Sequence, residues 1–396
     1  MHRYRFLGVI YLLTTFLHAF NTASYAQETD IVFGMSTALS GPAKDLGINM
    51  RAGVLAGFER TNRDGGIHGR KLSLFSLDDG YEPSRTVPNM RKLIGENGVI
   101  GIIGNVGTPT AIAALPIAKE SSTLFYAAYT GAGVLRQSPP DRVVINYRAS
   151  YSQETAAMID ALVAIKKLPL ESIAFFTQRD GYGDAGFAGG LKALKVHGLK
   201  DESQIVHLRY ERNTLAIEDA LSELLLASVE PKAIILVGAY APCAEFIRQV
   251  QQEGLHPLFL NVSFVGSEAL ARDLGEMGEG VIITQVVPHY NSELPIADDF
   301  KADLKRLNIG VMPTFGAFEG YIASRILSKA LLQSAKPLTR ESVVDALTSL
   351  GDFDIGLGEK LSLTPEHHQA SNSVWPTIIR SGSVTPFEWR ELGVDK

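Results

Sequence analysis

The sequence predicts an α/β protein of two similar halves, each a parallel sheet flanked by helices. Three observations carry this. Short apolar runs alternate with helical patterns, the alternation occurs twice along the chain, and in both halves strand passes to helix through glycine-containing turns. No stretch reads as long disorder or low complexity.

The chain opens with basic Arg3 and Arg5, an apolar stretch from Phe6 to Phe20, and Ser24-Tyr25-Ala26 ahead of Gln27. This is the layout of a cleaved export signal over residues 1–26, with the mature protein starting near Gln27. The apolar stretch is too short for a confident membrane span, and no later run reaches the roughly 20 apolar residues that spanning needs. Cys243 is the only cysteine, which leaves no lipid-acceptor cysteine behind the signal and no internal disulfide. The 396 residues suffice for about two domains, and the formal charge of −6 disfavours nucleic acid or an anionic membrane surface as partner.

Four strand-like runs precede residue 130: Ile31 to Ser36, Leu72 to Leu77, Val99 to Gly104 and Thr123 to Ala127. The first helix between them shows Ile48, Ala52 and Leu55 at helical spacing. A second series follows at Ile173 to Thr177, Ile205 to Tyr210, Ala233 to Val237, Pro257 to Leu260 and Val281 to Thr284. Two long helical patterns, Thr314 to Ser334 and Thr339 to Leu350, precede a β-like tail at Val374 to Ile379 that is placed to complete the sheets.

The strand-to-helix turns are the candidate site. Ser40-Gly41-Pro42-Ala43 stands between the first strand and a helix opening near Gly47, a layout that leaves backbone N–H groups for a small anionic or polar ligand. Gly104-Asn105-Val106-Gly107-Thr108-Pro109 and Asp180-Gly181-Tyr182-Gly183-Asp184 occupy equivalent places in the two halves. Ligands of open α/β sheets collect outside the carboxyl ends of strands, so two such lobes facing each other form a cleft.

Ser40-Gly41-Pro42, Asn62 to Gly66 with Gly69, Asp78-Asp79, Gly104 with Thr108, Asp180 to Asp184, Gly238-Ala239-Tyr240 and Gly254-Leu255 together resemble the periplasmic type I solute-binding proteins of ABC importers, in particular the leucine/isoleucine/valine-binding proteins. The resemblance runs through essentially the whole mature chain. It implies two Rossmann-like lobes joined by three hinge crossovers, here near Arg148, Gln285 and Gly358, closing around a ligand. The first lobe would comprise residues 27–148 with 286–357, the second 149–285 with 358–396. It further implies a periplasmic, monomeric protein without a cofactor, whose partners are a small-molecule ligand and the importer's permease subunits.

The family's pocket residues carry over one at a time. Thr108 matches a hydroxyl residue that holds the ligand carboxylate, and the residues agree: Thr108 suits an N-cap and Pro109 the first helical position, at a helix end that favours an anion. Simple capping is the alternative. Thr130, with backbone groups near Tyr129, resembles a second carboxylate contact, although the spacing to Leu135 is one residue longer than in the leucine binders. Tyr240 matches a tyrosine that contacts the ligand's amino group or covers the pocket, and otherwise plugs the lobe surface. Leu46 falls where leucine binders carry a pocket tryptophan. Tyr151 and Tyr182 line the cleft or are ordinary aromatics.

Two departures bear on the ligand. The acidic residue that neutralises an α-ammonium in the amino-acid binders is matched by Ser263, which is neutral, with Glu268 nearby as a substitute. A buried ammonium without a carboxylate loses a charge-assisted hydrogen bond, so a carboxylate lacking the amine, or an amide, fits as well as an amino acid. A family disulfide is also missing, Tyr81 and Gly107 standing near its two positions.

An exported Rossmann-like enzyme is the reading from another class. The glycines of Gly101 to Gly107 follow GxxGxxG rather than GxGxxG, and there is no phosphate loop, GxSxG elbow, HExxH or Cys/His metal spacing. Adjacent His367 and His368 read as solvated, and Asp78-Asp79 as turn formers. The expectation is therefore a non-enzymatic binding protein serving an importer, with delivery to a separate receptor or regulator as the alternative.

Overall fold

The structure, a computed structural model, describes residues 30–335 and 337–394; the expected export signal lies outside them. The first half runs β1 (Ile31–Thr37), α1 (Lys44–Arg63), β2 (Leu72–Asp78), α2 (Pro83–Arg91), β3 (Gly101–Ile103), α3 (Thr108–Glu120), β4 (Leu124–Tyr126) and β5 (Val144–Ile145). The second runs α4 (Tyr151–Ala164), β6 (Ile173–Gln178), α5 (Gly181–Val196), β7 (His207–Tyr210), α6 (Glu218–Leu225), β8 (Ala233–Val237), α7 (Tyr240–Gln252), β9 (Leu258–Asn261), α8 (Ser267–Leu274) and β10 (Ile282–Gln285). The remainder is α9 (Pro295–Leu307), α10 (Phe315–Gln333), α11 (Arg340–Thr348), β11 (Gly351–Phe353), β12 (Leu361–Leu363), β13 (Trp375–Arg380) and β14 (Ser383–Pro386).

The first sheet is parallel in the order β2-β1-β3-β4-β5. The parallel part of the second, β7-β6-β8-β9-β10, repeats that order, with β13 and β14 added antiparallel beside β10. In each lobe the order reverses at the first strand, which opens a crevice at the carboxyl ends of β1 and β3, and of β6 and β8. Helices on both faces explain the unbroken burial of central strands such as β8, Ala-Ile-Ile-Leu-Val, which alternation would not have marked.

The C-terminal tail completes only the second sheet, and β11 pairs with β12 as a separate hairpin that the apolar pattern had not marked. The short β5 also lay below its resolution: two residues show no period. In α1 the buried seam is Leu46, Met50, Gly53, Val54, Gly57 and Phe58, whereas Ile48 and Leu55 are only half-buried. The seam is displaced because α10 crosses on the glycines, and glycine has nothing that shows in an apolar count. A Cβ on Gly53 would lie 1.8 Å from the Ala317 carbonyl oxygen.

Chain crossings between the two layers lie between β5 and α4, between β10 and α9, and between β12 and β13. The first and third run side by side, with Asn146 N donating to the His368 carbonyl at 2.7 Å and Ser371 N to that of Tyr147 at 2.8 Å. Gly53→Ala should force α1 and α10 apart and lower unfolding free energy by about 2–3 kcal/mol, read from the denaturant midpoint at unchanged slope.

Candidate functional site

In the first lobe, the loops after β3 and β4 are zipped together. Tyr129 N donates to the Asn105 carbonyl at 2.8 Å and Gly107 N to that of Tyr129 at 3.2 Å. This brings Thr108, the first residue of α3, and Thr130 within 2.6 Å, hydroxyl to hydroxyl, both buried. The N-cap of α3 is Gly107, at φ +100°, so Thr108 is not the cap and Pro109 takes the second helical position. Only a residue without Cβ fits there, because a Cβ on Gly107 would lie 2.1 Å from the Tyr81 ring. The place of the missing family disulfide is thus a ring packed on a glycine.

From the second lobe, Tyr151 opens α4 behind a Ser150/Gln153 capping box, and Tyr182 sits in the first turn of α5 behind its N-cap Asp180. Their rings lie 5.2 Å apart. Phe264 enters between the lobes, its ring 4.5 Å from Tyr182, 5.5 Å from Tyr129 and 5.9 Å from Tyr81. The amino ends of α3 and α5 meet here: a Cβ on Gly181 would come within 2.8 Å of Ile112 and 3.8 Å of Thr108.

At the centre is Arg148, 1% exposed, on the first crossing. Its guanidinium lies 5.0 Å from the Tyr129 ring centroid and 5.8 Å from that of Tyr151. Nη2 donates to the Ser263 hydroxyl and, at 3.3 Å, to Glu154 Oε1; Nη1 lies 3.6 Å from Glu319 Oε2 on α10. Burial works against its charge, but Glu319 and Glu154 outweigh it and hold the guanidinium protonated. Burial also pushes the Glu319 carboxyl up to about 7, with Arg148 opposing, and the Tyr151 phenol up to about 12.

Ion pairs tie the lobes at the rim. Glu82 accepts from Arg212 at 2.7 Å and Asn213 at 2.6 Å on one side, and Asp45 accepts from Arg272 at 2.8 Å on the other.

Two facing α/β lobes with this connectivity and a buried interlobe layer match a known family. A model described as periplasmic binding protein matches residues 30–383. This chain belongs to the periplasmic binding protein family. It is 48% identical to a possible leucine/isoleucine/valine-binding protein from Rhodopirellula baltica SH 1, with a TM-score of 0.91 over 93% of this chain and 99% of that one. A substrate-binding periplasmic protein from Ralstonia solanacearum is 28% identical, with a TM-score of 0.82 over 90% of this chain and 100% of that one. The Leu/Ile/Val-binding protein homolog 7 of Brucella abortus (strain 2308) is 24% identical over 91% of this chain and 92% of its own length. The expected type I periplasmic binding protein fold is what the chain adopts.

In this periplasmic binding protein, six of the eight residues singled out from the sequence come together around Arg148 and Phe264: Thr108, Tyr129, Thr130, Tyr151, Tyr182 and Ser263. Leu46 and Tyr240 lie apart from these, each packed against Gly266, and the Arg272 guanidinium that pairs with Asp45 is 5.8 Å from the Tyr240 ring. Tyr182 links the two groups by donating to the Gly238 carbonyl at 3.3 Å. Arg148, Glu154, Phe264 and Glu319 were missed as site residues. Arg148 had been marked only as a crossing point, and no local pattern distinguishes a buried charge from a surface one.

In the Ser40-Gly41 turn the Ser40 N–H is taken within the protein, while those of Gly41 and Ala43 have no hydrogen-bond partner among the described residues. Leu39 N and Ser40 N donate to Asp78 Oδ1 at 2.9 and 3.2 Å, because the turn folds back onto the end of β2. Glu268 accepts from Phe315 N at 3.0 Å at the start of α10, and burial pushes its carboxyl up to about 7. His367 is exposed as expected, but His368 is buried, its Nδ1 2.9 Å from the Val144 carbonyl oxygen at the crossings. Among the described residues no cluster of three or more His, Cys, Asp or Glu could hold a metal. Cys243 is buried in α7, and burial pushes its thiol up.

Burial opposes the charge of Asp78, yet hydrogen bonds from Ser40, Leu39, Gly80 and Arg85 outweigh it and hold the carboxyl at about 2 against an ordinary 3.8. Its stabilisation is present above 3.8 and lost as pH falls through 2. Asp78→Asn should therefore lower stability at neutral pH and flatten the acid limb of the stability profile, measured by urea unfolding between pH 5 and 2.

Proposed function

We propose that this protein is the extracytoplasmic solute-binding component of an ABC importer, holding a small organic solute in the interlobe cleft. The observation that supports this is the buried layer at the carboxyl ends of both sheets, where the amino ends of α3 and α5 converge on hydroxyls and aromatic rings. In this reading Thr108 and Thr130, with the free N–H groups of the first turn of α3, receive a carboxylate or carbonyl oxygen. Tyr129, Tyr151, Tyr182 and Phe264 enclose the apolar body, and Leu46 and Tyr240 close the far edge. Ser263 acts from behind Arg148.

The energetics favour closure driven by ligand. The rim pair Glu82–Arg212 is 36% and 24% exposed, and such pairs contribute about 0–1 kcal/mol each. A solute that touches both lobes then decides the balance between open and closed states. Related proteins are named as binding proteins, which supports a non-enzymatic role. The family supports a periplasmic location and permease subunits as the receiving partner; the protein acts as a monomer without a cofactor.

The test uses mature protein unfolded and refolded to remove carried ligand, then screened by thermal shift against aliphatic amino acids, their deaminated acids, aromatic acids and amides. A binder raises the melting temperature by mass action and reduces the radius of gyration in X-ray scattering. No shift and no contraction with any class would overturn the reading. Thr108→Ala and Tyr240→Ala should each weaken the binder at least tenfold by calorimetry while leaving the unliganded melting temperature within a few degrees; unchanged affinity in both would refute the pocket.

A further inference from the structure

The hydrogen-bond accounts of Glu154 and Arg148 are unequal, and the inequality bears on which solute fits. Glu154, buried on α4, has its four acceptor positions filled. Oε1 accepts from the Ser263 hydroxyl at 3.0 Å and from Arg148 at 3.3 Å, and Oε2 accepts from Ser263 N and the Thr284 hydroxyl, both at 2.7 Å. An ammonium brought into this part of the cleft finds no unused lone pair on that carboxylate. Arg148 is the reverse case. Among the described residues no hydrogen-bond acceptor serves its Nε or Nη1, although both are buried. The nearest carboxyl to Nη1, that of Glu319, stands at 3.6 Å. Leaving buried charged donors without acceptors is costly, so this part of the site is short of acceptors and already holds a cation.

We propose that the cleft selects a carboxylic acid with an apolar body and no α-ammonium, one of whose oxygens, on a carboxylate or a 2-oxo group, accepts from Nε and Nη1 of Arg148. The protein's own guanidinium takes the acceptors that a ligand ammonium would need. Ser263 is the neutral residue that makes room for this: its hydroxyl accepts from Arg148 and donates to Glu154, where a carboxylate would add a further buried negative charge beside Glu154 and Glu319. The rings of Tyr129 and Tyr151 on the guanidinium, with Tyr182 and Phe264 beyond, match an aliphatic or aromatic body. This rests on the solute-binding reading above and narrows it to a ligand class.

The experiment compares matched carbon skeletons on ligand-stripped full-length mature protein by calorimetry: leucine against 4-methyl-2-oxopentanoate and 4-methylpentanoate, and phenylalanine against phenylpyruvate and 3-phenylpropanoate. At least one acid should bind at least tenfold more tightly than its amino-acid counterpart. Arg148→Met frees Glu154 and Ser263, so the acid-to-amine affinity ratio should fall at least tenfold, whereas a merely structural role would weaken both partners alike. Glu154→Gln, which keeps an acceptor for Arg148 but removes the negative charge, should move the ratio the other way. Should Arg148→Met not fold by circular dichroism, the wild-type ratio and Glu154→Gln decide. Amino acids binding as tightly as their acids, or an unchanged ratio in the folded variants, would overturn the proposal while leaving a solute-binding protein standing. Binding by none of the six compounds would overturn it too, and a blank across the wider screen would remove the solute-binding reading with it.

Discussion

Burying the Arg148 guanidinium is the constraint on which the interlobe layer depends. Removing such an ion from water costs several kcal/mol, which is recovered only when its partners are in place. Those partners come from both lobes: Glu154 from α4, Ser263 from the turn after β9, Glu319 from α10, and the rings of Tyr129 and Tyr151. Arg148 itself stands where the chain first crosses between the sheets. The environment of this one charge therefore depends on how the two lobes are placed against each other.

The rest of the site is a consequence of strand order. Both sheets reverse direction at the same point of a repeated order, and each reversal delivers a helix amino terminus to the crevice. Thr108 after β3 and Tyr240 after β8 are equivalent positions of the repeat, as are Thr130 after β4 and Ser263 after β9. The first lobe uses its pair for hydroxyl contacts on an anion-favouring helix end, and the second uses its pair to cover the edge and seat a guanidinium. One architecture thus builds two unlike faces on either side of the interlobe layer.

At the positions where the resemblance places the missing family disulfide, close approach is obtained by a ring on a glycine. Tyr81 lies on Gly107 and reaches across to the second lobe, its hydroxyl accepting from Gln178 at 3.1 Å. A disulfide there would have bound the first lobe only to itself. The ring adds an interlobe contact, so a local packing solution also joins the two lobes.

Much of this was legible from residues alone. Apolar runs located ten strands to within a few residues, because burial on a sheet imposes short uniform stretches whatever the neighbours are. Glycine-containing patterns located the strand-to-helix turns that hold Thr108 and Tyr182, because turn chemistry is local, while Thr130 and Tyr240 came from the family resemblance. What remained illegible depends on distant neighbours. The seam of α1 was shifted by the approach of α10 onto glycines, the Leu39 and Ser40 N–H groups were taken by Asp78 on another strand, and Arg148 could not be told from a surface arginine. Its hydroxyl partner, Ser263, is 115 positions away. Periodicity and turn propensity act over a few residues, so the two-lobe α/β class and its crevice can be read from the chain alone; which charges meet cannot, since the pairing of a buried ion is settled by what the fold brings within hydrogen-bond distance.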